Sequence, residues 1–353
     1  MHAVTESAMA GAAGRAAPAC GIGVIGVGRI GRMHADLLVR RVPGATVTAV
    51  YDSHVASARS VGDELRVPVS ESVDELLASP EVDAVAICTS TPTHADLIVE
   101  AARAGKAIFC EKPVSLDLEE VDRALAAVGQ AGVPFQIGFN RRFDPAHASV
   151  REAVAAGRVG DPQLVRISSR DPAPPPVAYI RDSGGMFLDM TIHDFDMARF
   201  VTGSEVVEVV ARGAVRIDPA IGEAGDIDTA LLMLVHEDGC LTAIDNSRQA
   251  VYGYDQRVEV FGSRGIAASE NPLAHSGVVR TADGTSAPPL PYFYLERYTA
   301  SYLREWEAFV AALAAGETPP VTTADARAPL VIGLAAQRSL REGRPVGIEE
   351  VSG

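Results

Sequence analysis

The chain has 353 residues, about two domains at ~150 residues each. It is 47% hydrophobic and 22% charged, and 46 Asp and Glu against 31 Lys and Arg leave a formal net charge of −15. That balance repels phosphates and argues against a nucleic-acid or anionic-membrane partner, although one bound dinucleotide needs only a local pocket. No apolar run approaches the ~18–20 residues of a membrane span, so no membrane protein is expected.

Residues 1–20 are rich in Ala and Gly and lack the basic start and Leu/Val-rich middle of a secretory signal. They read as a disordered extension. From Ile22 to about Phe139, short apolar runs alternate with helical patterns. The runs are Ile22–Gly26, Val47–Tyr51, Ala84–Cys88, Ala107–Cys110 and Phe135–Phe139; the helical patterns include Ile30–Arg41, Val73–Ala78, Ala95–Ala104 and Leu118–Ala131. Runs apolar on both faces and separated by helices suit a parallel sheet covered on both sides. Residues 21–142 are therefore expected to form a doubly wound α/β, or Rossmann, domain. The four cysteines form no close pair, and Cys88 and Cys110 each end a strand-like run, as reduced core thiols of a cytoplasmic protein would.

After Arg142 the texture changes. A helix (Ala146–Ala156) and a strand (Gln163–Ser169) lead into a rigid loop, Asp171-Pro172-Ala173-Pro174-Pro175-Pro176, in which Pro supplies no ladder donor. A helical pattern follows Gly184-Gly185 and stops at Gly203. Strand-like stretches at Val206–Ala214, Thr229–His236, Leu241–Ser247, Arg257–Phe261 and Gly265–Ala268, separated by turn signals, read as consecutive antiparallel strands with helices on one face. Helices at about Glu296–Ala315 and Thr323–Glu342 close the chain, and Asn271–Pro291 has no assignment. Residues 143–353 are thus expected to form an α+β domain for substrate binding and oligomerisation, with a largely antiparallel open sheet and C-terminal helices able to pack back on the first domain.

Gly26-Val27-Gly28-Arg29-Ile30-Gly31 is a G-x-G-x-x-G run that ends a strand and opens a helix. Gly26 allows the tight turn, Gly28 lets backbone approach a pyrophosphate, and Gly31 lets the helix pack on the strand. The helix start at Arg29 and Ile30 offers N–H groups to the phosphates. Asp52 ends the next strand, 21 residues past Gly31, where an acid accepts ribose hydroxyls and repels a 2′-phosphate, so NAD is favoured over NADP. The polar run Thr89-Ser90-Thr91-Pro92-Thr93-His94 follows a third strand. Loops there line the ligand crevice, so Thr89, Ser90 and His94 are assigned to the cofactor, with capping by Thr93 as an alternative role.

Two further segments carry chemistry. Glu111-Lys112-Pro113 sets an ammonium at a strand end facing the same crevice, where it can favour a substrate alkoxide. In Gly184–Asp196, Asp189, His193 and Asp196 fall at i, i+4 and i+7 on one stripe of a helix. A carboxylate one turn from an imidazole would orient the ring and raise its affinity for a proton, and such a ring can act as general base. A solvated pair on an exposed face has the same spacing. No metal-ligand spacing is present.

Together with Gly138-Phe139-Asn140-Arg141-Arg142-Phe143-Asp144, these motifs resemble the glucose–fructose oxidoreductase/inositol dehydrogenase (Gfo/Idh/MocA) family. The segments Ser168–Pro172, Met190–Asp196 and Tyr252–Asp255 are most similar to its bacterial inositol 2-dehydrogenase branch, and the likeness runs from Ile22 to about Ile348. The resemblance implies a catalytic group of Lys112, Asp189 and His193. His193 would take the hydroxyl proton, Lys112 would stabilise the alkoxide, and Asp189 would orient His193 or bind a neighbouring hydroxyl. It puts Glu111 with the cofactor contacts and Asn140, Arg141, Asp171 and Tyr254 with the substrate, a small polyol or cyclitol. Asp171 stands where some members carry an amide, which leaves the hydroxyl pattern read there open. The resemblance also implies NAD as cofactor and a homotetramer joined through the open sheet. Myo-inositol leads as substrate, with scyllo-inositol, an aminocyclitol and a pyranose as alternatives. A non-catalytic NAD sensor is the alternative of another class, disfavoured by the joint presence of Lys112, Asp189 and His193.

Overall fold

A computed structural model of the protein describes residues 19–352. The expected extension falls outside them except at its end, where Cys20 already opens the first strand. Strands β1 (Cys20–Ile25), β2 (Ala45–Tyr51), β3 (Ala84–Ile87), β4 (Ala107–Glu111) and β5 (Phe135–Gly138) form an all-parallel sheet in the order β2-β1-β3-β4-β5. Alternate residues face opposite ways. Ile22, Val24, Ala84 and Ala86 pack under helices α1 (Arg29–Arg40) and α2 (Val55–Leu65). Ile25, Val85, Ile87 and Ile108 pack under α3 (Val73–Ala78), α4 (His94–Arg103) and α5 (Leu118–Ala131). The order reverses at β1 and β3, which opens a crevice beyond their carboxyl ends.

Helix α2 carries a weaker sequence signal than the helical patterns named above. Its apolar spacing is regular, with Ala58, Val61 and Leu65 buried, but small residues dilute it. Gly62 is small because a Cβ there would lie 2.5 Å from Cγ2 of Val69.

The rest of the chain runs through α6 (Pro145–Ala155), β6 (Pro162–Arg170), α7 (Val177–Asp182), α8 (Gly185–Asp189), α9 (Ile192–Thr202), β7 (Val206–Ala214), α10 (Pro219–Glu223), β8 (Thr229–His236), β9 (Leu241–Ser247), β10 (Asp255–Gly262) and β11 (Gly265–Ser269). A small hairpin follows, β12 (Val279–Thr281) with β13 (Gly284–Ser286), inside the segment that had no assignment. Then come α11 (Tyr294–Ala315), α12 (Thr323–Glu342) and β14 (Val346–Gly347). The second sheet has the order β11-β10-β6-β9-β8-β7-β14. All its pairs are antiparallel except β6 with β9, so the strands are not a simple consecutive meander. One face packs on α6, α9 and α12; the other leaves Leu231, Met233, Phe261 and Ile266 exposed.

The single helical pattern expected after Gly184-Gly185 is interrupted. α8 ends at Asp189 and α9 starts at Ile192, because the Thr191 amide reaches back five residues to the Met186 carbonyl and its hydroxyl donates to Asn246 Oδ1 at 2.6 Å.

The two C-terminal helices tie the sheets together. α12 contributes Leu330 to the core of the first sheet and Ile332, Ala335 and Ala336 to that of the second. α11 buries Trp306, Phe309 and Val310 against the α1/α2 side of the first sheet. Trp306 stacks on Phe109 at 4.2 Å between centroids, and its indole N–H donates to His34 Nδ1 at 2.8 Å. Trp306→Phe keeps most of the apolar contact but leaves that buried nitrogen unpaired, an expected loss of ~1–3 kcal/mol. Trp306 is the only tryptophan, so urea unfolding followed by far-UV circular dichroism is the measurement. An unchanged midpoint would show that the bond adds nothing.

Candidate active site

The glycine-rich turn is built as the spacing predicts. Gly26 sits at φ +87°, its amide donates to the Tyr51 carbonyl at 2.7 Å, and a Cβ on it would lie 2.8 Å from the Thr89 amide. A Cβ on Gly31 would lie 1.9 Å from the Gly26 carbonyl oxygen, so α1 can approach the turn only with glycine there. Gly28 is different: nothing lies within 4 Å of its would-be Cβ. It caps α1 without a side-chain bond, so the first amides of the helix remain available to an anion.

Asp52 does two jobs. Its Oδ2 accepts from the Val27 amide and its Oδ1 from the His54 amide, both at 2.8 Å, which pins the glycine turn and leaves lone pairs facing the crevice. Gly26, Gly28, Arg29, Ile30, Asp52, Thr89 and Ser90 line one part of a cavity of about 1160 Å³. Open space over Gly28, an uncapped helix start and an acid opposite are what a dinucleotide needs, so the residues present fit NAD. In the polar loop, the Thr93 hydroxyl donates to the Ser90 carbonyl and accepts from Thr89 Oγ1 at 2.6 Å; it does not cap α4.

Two residues assigned to the cofactor face elsewhere. His94 is buried beneath the crevice, its ring joining the carbonyls of Pro113 (2.8 Å) and Thr89 (3.1 Å). Glu111 is buried too, and its Oε1 meets His34 Nε2 at 2.6 Å. Since the Trp306 indole donates to the other ring nitrogen, the His34 proton sits on Nε2 and is donated to Glu111. His94 thus ties the loops after β3 and β4 together, and Glu111 ties the end of β4 to α1.

Lys112, at the carboxyl end of β4, reaches across to the second half of the chain. Its Nζ donates to the Asp189 carbonyl at 2.9 Å and lies 3.9 Å from Asp189 Oδ1. The Asp189 carboxylate accepts from the Tyr179 hydroxyl at 2.8 Å on Oδ1 and from Arg248 Nη1 at 3.5 Å on Oδ2. No hydrogen bond joins it to His193, because the break at Met190-Thr191 removes the one-turn stacking that the spacing implied. Asp196 also leaves the stripe: it is buried and paired with Arg142 at 2.6 Å. His193 meets Phe139 edge-on, and its Nδ1 is buried without a partner, which leaves Nε2 as the nitrogen free to take a proton. Burial, with help from the Lys112 and Arg141 charges, holds the ring well below the ordinary imidazole value. The expected rise in proton affinity is therefore reversed, and the ring is neutral at neutral pH.

Of the substrate residues, Asp171 and Tyr254 line the cavity and the other two lie behind it. Arg141 is buried and held by Asp194 (2.8 Å), with the Ser169 hydroxyl at 3.2 Å and Tyr254 Oη at 3.4 Å. Asn140 is buried with Nδ2 unpartnered. The Asp171 amide continues the β6 ladder by donating to the Ser247 carbonyl at 2.9 Å. Burial, opposed by Arg248 and aided by Asp189, pushes the Asp171 carboxyl up to about 6. The structure adds Tyr179, Arg248, the wall Pro172–Pro176 and the aromatic run Tyr292-Phe293-Tyr294 to the cavity. Three consecutive aromatics at the start of a helix were a readable signal; Arg248 gave none, since only strand pairing brings it here. Among the described residues no cluster of His, Cys, Asp and Glu could hold a metal ion, and no helix is long and apolar enough to cross a membrane.

Comparison with known proteins gives a consistent picture. Residues 20–139 match the model of the oxidoreductase family with an NAD-binding Rossmann fold, and residues 147–268 match the GFO/IDH/MocA C-terminal domain. The chain is 48% identical over 333 residues to myo-inositol 2-dehydrogenase of Thermotoga maritima, covering 94% of this chain and 99% of the relative. It is 47% identical over 326 residues to inositol 2-dehydrogenase of Rhizobium meliloti, covering 92% and 98%. Scyllo-inositol dehydrogenase from Lactobacillus casei, solved with bound NAD(H) and scyllo-inositol, superposes with a TM-score of 0.88 at 30% identity, over 94% of this chain and 99% of that one.

Asp52→Ala removes both the repulsion of a 2′-phosphate and the anchor of the Val27 amide. The ratio of kcat/KM with NAD to that with NADP is expected to fall at least ~10-fold, with weaker NAD binding as well. An unchanged ratio in steady-state assays with both cofactors would reject the role given to this acid.

Proposed function

The chain belongs to the GFO/IDH/MocA oxidoreductase family, and from that premise we propose that it is an NAD-dependent dehydrogenase that oxidises a ring hydroxyl of a cyclitol, myo-inositol foremost, to the ketone. The observation that carries the reading is the bond from Lys112 Nζ, at the end of a nucleotide-domain strand, to the carbonyl of Asp189, which lines the same cavity as Gly28 and Asp52. When bound, NAD supplies the hydride acceptor.

The chain's own residues then divide the work. His193, neutral at neutral pH, takes the hydroxyl proton on Nε2. The Lys112 ammonium stands where negative charge develops on the substrate oxygen and stabilises it. Asp189, whose carboxylate is held by Tyr179 and Arg248 rather than by His193, accepts a hydrogen bond from a neighbouring ring hydroxyl. Asp171 and Tyr254 bind further hydroxyls, while Arg141 meets the Tyr254 hydroxyl from behind the cavity. Each unpaired group costs ~1–3 kcal/mol, which lets such a pocket separate epimers. Myo-inositol is preferred over scyllo-inositol because the Thermotoga maritima relative, 48% identical, carries that substrate in its name and the Rhizobium meliloti relative, 47% identical, carries inositol.

The same reading includes a homotetramer formed through the outer face of the second sheet, where exposed Leu231, Met233, Phe261 and Ile266 supply an apolar patch. It also includes a cytoplasmic location, in keeping with the four unpaired cysteines.

Two outcomes test the mechanism. Lys112→Ala is expected to lower kcat ~100-fold or more while NAD binding, read by fluorescence titration, holds. Near-normal turnover would remove Lys112 from the chemistry. In the pH profile of kcat/KM, a protonated His193 cannot accept a proton, so activity falls as pH drops through its lowered value and the acid limb lies below the ordinary 6.5. Asp171 adds an inflection near 6 that Asp171→Asn should erase. An acid limb above ~7 in both proteins would contradict a neutral, depressed imidazole.

A further inference from the structure

Strands β6 and β9 are the one parallel pair in the second sheet, and their register ends with Arg170 opposite Ser247. The residues that follow, Asp171 and Arg248, therefore emerge side by side at the same carboxyl end, where both line the cavity. Arg248 is only 1% exposed. Its amide is anchored on the Asp228 carbonyl at 2.9 Å. Its guanidinium forks: Nη1 lies 3.5 Å from Asp189 Oδ2 and Nη2 lies 3.3 Å from Asp226 Oδ2. Asp226 uses its other oxygen, Oδ1, to accept from the Met186 amide at 3.0 Å. Helix α8 runs only from Gly185 to Asp189, so this single cation is coupled to both of its ends, directly at Asp189 and through Asp226 at its start.

Resting on the polyol-dehydrogenase reading, we propose that Arg248 is the positioning residue of the acidic wall of the substrate pocket: it fixes α8 from both ends, aims the Asp189 carboxylate into the cavity, and sets its own charge beside Asp171. Three carboxylates, Asp171, Asp189 and Asp226, crowd around it. Lys112, Arg141 with its partner Asp194, and the hydroxyls of Tyr179 and Tyr254 complete the titratable surroundings of that wall. Lys112 and Arg141 are already engaged, on the Asp189 carbonyl and on Asp194. Lysine is a poor substitute for Arg248 because a point charge cannot fork between two acids.

The full-length protein with Arg248→Gln and with Arg248→Lys tests this. For Arg248→Gln, kcat/KM for myo-inositol is expected to fall at least ~10-fold, with the acid limb moved to higher pH and NAD affinity within ~2-fold of wild type. A second readout needs no turnover. Removing the cation takes away the charge that opposes burial at Asp171, so that carboxyl rises further above its value in the unfolded chain. The folded protein then keeps protons that the unfolded chain has lost, so its stability declines as pH rises through that window. The loss of Tm relative to wild type should thus widen from about pH 5 to about pH 8, and Arg248→Lys should recover part of it. A Tm deficit that is constant with pH, together with an unmoved acid limb, would make Arg248 a packing residue and overturn the proposal. If Arg248→Gln does not fold, Arg248→Lys decides, because a lysine protein matching wild type in both profiles overturns the shared fork. Wild-type protein inert on cyclitols would defeat the dehydrogenase reading, while the melting series would still decide the role of Arg248.

Discussion

A single hydrogen bond, from Lys112 Nζ to the Asp189 carbonyl at 2.9 Å, joins the end of a first-sheet strand to the short helix that edges the second sheet. Everything proposed for the chemistry requires those two points to stay within a few ångströms. A side chain from the nucleotide half and a carboxylate from the polyol half can act on one substrate carbon only if the halves cannot slide. The geometry is thus a packing problem before it is a catalytic one.

The packing comes from the last helices of the chain. α12 places Leu330 in one core and Ile332, Ala335 and Ala336 in the other, and Gly333 between them admits Leu188 of α8, whose Cδ2 would be 2.4 Å from a Cβ. α11 returns to the first sheet and locks Trp306 on Phe109 and His34, and His34 in turn holds Glu111, the residue before Lys112. Burying aromatic and branched side chains on both sides of the joint makes sliding expensive, since each fully buried residue of this kind contributes ~1.5–3 kcal/mol.

Electrostatics then sets the state of the site. The cavity wall gathers more carboxylates than its cations neutralise, and Asp171 is pushed up to about 6 as a result of burial among them. His193 is depressed by burial and by neighbouring cations, which keeps the ring neutral with a nitrogen open to a proton. The two shifts run in opposite directions because desolvation penalises the charged form of either group, and for an acid and a base those forms lie on opposite sides of the titration.

Much of this was legible in the sequence. Short continuous apolar runs between helical patterns, the spacing of Gly26, Gly28 and Gly31, and Asp52 at the end of the next strand marked the nucleotide half, because turn sterics and strand burial are local rules that residues carry with them. The same holds for most strands of the second sheet. Local rules failed at α2, where Gly62 and small residues blurred the period, and at Asp189 and His193, where the back-reaching Thr191 amide broke a helix that the spacing made continuous. They also failed at His94 and Glu111, whose side chains turn inward to partners far along the chain. Arg248 is the sharpest case: parallel pairing of strands 77 residues apart puts it beside Asp171. Local sequence fixed which elements form and where a dinucleotide fits, while the partner of each charged side chain was decided by register and packing between distant segments, which no short stretch of residues encodes.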